Sequence, residues 1–448
     1  MKRTLGSALA GLAWVLAAGT VHAEDPEPSV VEEILGVLQE RGLVDQAEHD
    51  RLVARYQAQE KSHQSALPRI RMSGDLRLRG EGFWYDQDPV AGHTPDRYRG
   101  RYRLRLNLDS DVTSFAMVHV QLGSGENDSR SANTSFGQTG PDFNPDAIFI
   151  NQADVRFTAP SSWLPVEGGS ASLEIGKVAN PFLWNKFRDK LLWDDDINPE
   201  GFAARFTASP ARDLDLFFNG GYFIDQENST AKDPYLIAAQ LGGVYGADQS
   251  LEVGARATWY GFRALDANFV CRGANGKNCN GSAGSTSGGG NILDGLTGSA
   301  NGGSMDVAEL AAYLTWRGLE DWPVTVWGDV ANNFSAASSQ ISSAGSDSLA
   351  WSTGLVLGDK TKVAEVGAAY LWLQANAFPS QFVESDWIDG ETNHRSLTVW
   401  ATRRLFANID FTTLLSFEDT IDDSLPTYSN SVGKAKRIRL QTDLSLKF

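Results

Sequence analysis

After Ala23 the chain has no run of eighteen apolar residues, which excludes crossing a membrane by helices, since a helix needs about 20 such residues. Basic residues are few beside acidic ones, 39 against 56, for a net charge of −17. That balance excludes a general nucleic-acid binder, which needs a basic footprint. Cysteine is limited to Cys271 and Cys279, and no CxxCH motif occurs, so the chain carries no covalently attached c-type haem. Histidine is sparse too. Of the six, His22 falls in a leader and His49 and His63 in a helical segment, while His93, His119 and His394 have no serine motif beside them. A hydrolase needs a nucleophile and base within reach, and that pairing is not legible here.

The leader is explicit. Lys2 and Arg3 precede an apolar run from Leu5 to Ala18, and Val21-His22-Ala23 offers small residues at the −3 and −1 positions of a cleavage site. This is a secretory signal peptide over residues 1–23, with cleavage expected after Ala23. Its loss removes two positive charges and leaves the remainder more acidic still. The full sequence holds 44 glycines, 13 tryptophans and 22 phenylalanines at a mean hydropathy of −0.29. Such a polar average suits a membrane protein only if apolar residues take every second position, one face in lipid and one in water.

Residues 24–68 follow a different rule. Val30, Val31, Ile34, Leu35, Val37 and Leu38 repeat at helical spacing, and Gly42 stands where a C′ glycine ends a helix. Asp45-Gln46-Ala47-Glu48 reads as a capping box opening a second helix through Leu52, Val53 and Tyr56. A short periplasmic helical hairpin is expected over 29 to about 61, followed by a polar linker, Lys61 to Ser65. It either self-associates, touches the cell wall, or stands as a solvated handle.

From Arg69 the period becomes two. Arg71, Arg77 and Arg79 alternate with Met72, Leu76 and Leu78; Arg97, Arg99, Arg101, Arg103 and Arg105 alternate with Tyr98, Gly100, Tyr102, Leu104 and Leu106. A run of arginines on one face of a strand repels itself without partners. In a barrel those arginines line a polar interior while Tyr and Leu meet lipid. His119 falls on the same polar face of the third strand. The final segment, Arg437 to Phe448, alternates equally cleanly and ends on an aromatic, as outer-membrane barrels do. Strands are expected near 69–81, 97–109, 115–123, 147–158, 171–178, 201–208, 214–223, 235–246, 250–260, 306–316, 323–331, 350–357, 363–373, 395–405, 409–417 and 437–448. Sixteen is even, which leaves both barrel ends on the periplasmic side. The fold class is thus all-β, a transmembrane antiparallel β-barrel over 69–448. Short turns such as Pro210-Ala211-Arg212-Asp213 and Gly358-Asp359-Lys360-Thr361 alternate with long Gly/Ser/Asn-rich loops. Trp259, Tyr260, Trp316, Trp322, Trp351, Tyr370 and Trp372 sit near strand ends and are expected in the interfacial girdles.

Several segments together resemble the bacterial putative porin family over nearly the whole length after the leader. They are the two-helix start, Ser73-Gly74-Asp75-Leu76-Arg77-Leu78-Arg79 with the arginine-rich second strand, and Gly176-Lys177-Val178-Ala179-Asn180-Pro181-Phe182. Leu192-Trp193-Asp194-Asp195-Asp196-Ile197-Asn198-Pro199-Glu200-Gly201, Glu384-Ser385-Asp386-Trp387 and Gly390-Glu391-Thr392-Asn393 complete the set. After Asn393 the family has a small, glycine-like residue, and this chain has His394-Arg395. The resemblance implies a pore in a Gram-negative outer membrane, surrounded by lipid and lipopolysaccharide, passing small solutes or ions, with no substrate fixed.

Asp194, Asp195, Asp196 and Glu200 lie between the fifth and sixth strands, in the third external loop. In general porins that loop folds inward, and by analogy these carboxylates would face the arginines of strands one and two across a constriction. Rings of fixed charge of this kind select ions. Two other readings stay open: a calcium site built from Asp194, Asp196, Asn198 and Glu200, and a solvated surface loop. Cys271 and Cys279 enclose seven residues in the longest loop; an even pair in an exported protein reads as a disulfide. Trimers are common among general porins, and the analogy admits a homotrimer. The alternative function is a sheath around a partner such as a multihaem cytochrome, which requires a wider lumen and more strands.

Overall fold

The computed structural model describes residues 38–39, 41, 44–66, 70–87, 96–126, 129–137, 144–164, 168–184, 190–229, 232–247, 249–264, 287–288, 291–292, 304–335, 347–388, 390–422, 426–427, 431–432 and 435–448. The chain divides at Pro68/Arg69 into two units. In the first, a helix α1 spans Gln46–Ala66. Asp45 caps it as the sequence suggests: its Oδ1 accepts the Glu48 backbone N–H at 2.8 Å, satisfying a donor that lacks a partner within the helix. The expected hairpin is not seen, because its other helix lies outside the described residues apart from Leu38 and Gln39. Cys271 and Cys279 also lie outside them.

The second unit contains sixteen long strands: β1 Ile70–Gln87, β2 Arg97–Asp111, β3 Ala116–Gly123, β4 Phe149–Thr158, β5 Ser170–Lys177, β6 Glu200–Ala211, β7 Leu214–Ile224, β8 Tyr235–Tyr245, β9 Leu251–Arg263, β10 Met305–Trp316, β11 Val324–Asn333, β12 Leu349–Leu357, β13 Glu365–Leu373, β14 His394–Phe406, β15 Ile409–Thr420 and β16 Ala435–Lys447. Each pairs antiparallel with the next, and β16 returns to pair with β1, so the sheet has no free edge. β3 stops at Gly123, well short of the end of β2. The freed edge of β2 is taken by Thr134–Ser135, which pair with Tyr102 and Arg101. This detour brings residues 131–135 against the arginines of β2.

Alternation decides what faces where. In β9 the even positions Glu252, Arg256, Thr258 and Tyr260 are buried, while the odd positions Leu251, Val253 and Trp259 are exposed. In β10 the parity reverses, with Glu309 and Tyr313 in and Leu310 and Leu314 out. Around the wall the exposed set is large and apolar (Leu241, Phe202, Leu310, Val330, Leu397, Phe411), and the buried set is rich in charge and hydroxyl groups. A soluble protein rarely leaves an apolar surface this continuous, so that face is the lipid face. Trp259, Trp316, Trp322 and Trp351 sit on it. Tyr260 is a correction to the girdle expected from sequence: it is fully buried on the inner face, where its hydroxyl donates to Glu309 Oε2 at 2.8 Å.

Candidate functional site

Two of the long connections fold into the barrel. The β5–β6 loop, 178–199, leaves and re-enters the sheet through Gly176 and Gly201, which face each other in register at φ +132° and +154°. A Cβ on Gly176 would stand 2.2 Å from the Ala153 carbonyl, and one on Gly201 2.1 Å from that of Tyr222. Only glycine fits this bend. Inside, the Phe182 carbonyl accepts from Gln240 Nε2 at 3.0 Å and from Arg256 Nη1 at 2.9 Å on the β8–β9 wall.

The β13–β14 loop, 374–393, comes in from elsewhere on the rim and meets it. Trp193 of the first loop packs on Phe378 and Phe382 of the second, ring centroids 5.2 Å apart in both cases, and on Tyr260 and Phe262 of β9. Burying such side chains contributes roughly 1.5–3 kcal/mol each, which makes the aromatic contact the main hold between the loops. Polar contacts set its register. The Asp194 N–H donates to the Phe382 carbonyl at 2.9 Å, and Ser385 N–H donates to Asp194 Oδ2 at 2.8 Å. Lys190 lies 2.8 Å from Glu384 and also meets Asp195. Arg130, from the 124–148 connection, donates to the carbonyls of Ser380 and Gly390; Gly390 is at φ +71°, with no room for a Cβ beside the guanidinium.

Both loops end on the arginine wall. Asp196 pairs with Arg105, lies 3.6 Å from Arg103, and accepts the Ala132 N–H at 2.9 Å. Asp386 pairs with Arg79 of β1 at 2.6 Å and Arg439 of β16 at 3.2 Å. The wall supplies acids of its own: Asp443 to Arg79 at 2.7 Å, Glu81 to Arg99 and Arg439 at 2.5 Å each, and Asp75 to Arg103 at 2.8 Å. Like charges in register, such as Arg77 opposite Arg103, are tolerable only because this lattice of carboxylates interleaves them.

Burial raises the pKa of Asp196, but Arg105 and Arg103 outweigh it and hold the carboxyl at about 2. Asp386 is kept well below the usual range, its burial outweighed by Arg79 and Arg439. Asp194 and Glu384 move the other way. Burial and mutual repulsion push Asp194 well up, and burial raises Glu384 to about 7 despite Lys190.

The residues singled out from sequence therefore separate. Arg77, Arg79, Arg99, Arg101, Arg103 and Arg105 share one inner wall, whereas Arg71 sits near the start of β1, half exposed and paired with Asp111. His119 faces inward between Asp109, at 2.7 Å, and Gln152, at 3.0 Å. Of the four acids, Asp196 touches the arginines, Asp194 bonds to backbone, Asp195 meets Lys190, and Glu200 is the first residue of β6, where it pairs with Lys177 at 2.7 Å. Asn198 accepts from Gln152 at 2.8 Å. The oxygens of Asp194, Asp196, Asn198 and Glu200 thus point at different partners, and among the described residues no cluster of three or more His, Cys, Asp or Glu is arranged to hold a metal. Asp386, Glu81 and Lys190 are the contributors that sequence reasoning missed.

A closed sixteen-stranded sheet with an apolar belt, a charged interior and inward loops defines an outer-membrane porin-type barrel. The high-pH structure of Pseudomonas putida OprB shares the fold, with TM-score 0.50 and 8% identity over 85% of this chain and 94% of that one. An anion-selective porin from Comamonas acidovorans matches at TM-score 0.46 and 12% identity over 85% and 100%. The outer membrane channel DcaP of Acinetobacter baumannii matches at 0.45 and 11% over 85% and 97%. No curated relative matches the chain. A family model described as Putative porin matches residues 84–285. The protein is a porin-like outer-membrane channel.

Proposed function

We propose that the barrel passes small hydrophilic solutes or ions by passive diffusion, and that the two inward loops narrow its passage against the arginine wall of β1 and β2. The observation that carries this reading is the pair Asp196 and Asp386, one from each loop, both bonded to wall arginines. Acid and base thus stand in contact at the narrowest region rather than across an open gap, and the passage runs beside this lattice. In this reading residues 1–23 are a cleaved leader, the short turns and the unit of α1 are periplasmic, and the long connections face outward. A sheath for a multihaem cytochrome fits poorly, because the protein's own loops occupy the space a partner would need.

The test is reversal potential across planar bilayers in a salt gradient. Asp196→Asn should shift selectivity toward anions and Arg103→Gln toward cations. Both shifts should shrink as salt rises, since the screening length falls from about 8 Å at physiological strength to about 3 Å at 1 M. A folded wild-type barrel that conducts nothing would overturn the channel.

A further inference from the structure

The arginine wall holds more positive charge than its carboxylates match. Arg79, Arg99, Arg103, Arg105 and Arg439 each contact a carboxylate. Arg77 has no such contact and Arg101 only a long, shared one. Among the described residues Arg77 makes no ion pair; its Nη2 donates to Asn133 Oδ1 at 2.8 Å. Arg101 lies 3.9 Å from Glu81 Oε2, an oxygen that Arg99 already holds at 2.5 Å. Its Nη2 donates instead to Ser131 Oγ at 3.0 Å and the Asn133 carbonyl at 3.4 Å.

These neutral acceptors come from the detour that pairs Thr134–Ser135 with β2. The two arginines are diagonal neighbours in the sheet, since Arg77 is opposite Arg103 and Arg79 opposite Arg101. Each keeps a buried Nε–H without an acceptor. A buried donor left unsatisfied is costly, more so when it carries charge, and a guanidinium fork matches a planar or tetrahedral oxyanion.

We propose that Arg77 and Arg101, with the Ser131 hydroxyl and the Asn133 amide, form a binding site for a small oxyanion group, a carboxylate or a phosphate carried by a solute in transit. The solute would supply the carboxylate that the wall lacks at this point, exchanging with the amide oxygen of Asn133. This deepens the channel reading by naming the chemistry of its solutes.

The experiment uses the full-length protein, purified in detergent, with sodium acetate and inorganic phosphate as separate probes at constant ionic strength made up with chloride. Thermal unfolding is followed in urea. In the wild type, at least one probe should raise the midpoint saturably. Response to acetate alone assigns the site to carboxylates, to phosphate alone to phosphoryl groups, and to both to oxyanions in general. Arg77→Gln should raise the half-saturating concentration at least tenfold. Asn133→Asp, which installs a resident carboxylate, should abolish the saturable response while keeping a folded barrel, judged by heat-modifiable mobility. No saturable response in the wild type, or an unchanged one in Asn133→Asp, overturns the site. Because binding is read without current, a protein that conducts but binds neither anion loses only the site, and one that binds but never conducts loses only the channel.

Discussion

The joint between the two inward loops should loosen as pH rises toward neutrality. Among the described residues Lys190 is the cation paired with Asp195 and Glu384, while Asp386 and Asp196 are already engaged by Arg79, Arg439, Arg103 and Arg105. Glu384 is 2% exposed, and burial raises its pKa from 4.5 to about 7 when the loops are joined. An acid whose pKa is raised binds its proton more tightly in the joined state than in the parted one. The joined state is therefore favoured fully below about 4.5, and that advantage is lost as pH climbs to about 7. The difference is worth about 3 kcal/mol, more than a hundredfold in the joined-to-parted ratio. Asp194 is shifted in the same direction and adds to it. The contacts of Trp193 with Phe378 and Phe382 do not titrate, so the loops should part transiently rather than dissociate. Single-channel recordings in symmetric salt from pH 5 to pH 8 should show larger-conductance states becoming more frequent toward alkaline pH, and Glu384→Gln should flatten that dependence. Larger states that grow toward acid, or a pH dependence untouched by Glu384→Gln, would refute the reasoning.

Trp193→Ala should cost the joint about 3–5 kcal/mol of packing and raise mean conductance at every pH, with the heat resistance of the barrel unchanged. Leu104→Arg, on the lipid face, should destabilise the barrel by roughly 2–4 kcal/mol in equilibrium refolding if it lies near the midplane, whereas Asn107→Arg, on the inner face, should be tolerated; equal effects would mean the register is wrong. A chain lacking residues 24–65 should still insert and show heat-modifiable mobility, because α1 contributes no strand, and failure to refold would place this unit in the core of the barrel.

Strand alternation was the most legible feature. Where a segment buries one face and exposes the other, each strand carries its own evidence, and the observed ends of β3, β7 and β12 lie within a residue of those expected. Tyr260 was misplaced by proximity to a strand end, although its parity with Arg256 and Thr258 already assigned it to the interior. Glu200 was grouped with the aspartates by closeness in sequence, yet it begins β6 and obeys the sheet. The pairing of Asp386 with Arg79 and Arg439 was illegible for a deeper reason. It joins positions 307 and 53 residues apart through a loop that packs against Trp193, and no local periodicity encodes that. The segment Glu384-Ser385-Asp386-Trp387 stood out as a family motif, but its chemistry appears only once the wall it meets is built.

Asp386 has a consequence for assembly. Arg79 belongs to the first strand and Arg439 to the last, and the two come together only where β1 and β16 zip the sheet shut. Until then Arg79 lacks Asp443, and Glu81 has Arg99 of β2 but lacks Arg439. Asp386 can meet both arginines at once only on a cylinder whose ends have met in register. An unfinished barrel would hold its 374–393 loop unfastened, and a misaligned one would fasten it badly. One carboxylate thus records, at a single point, that the first and last strands have met in register.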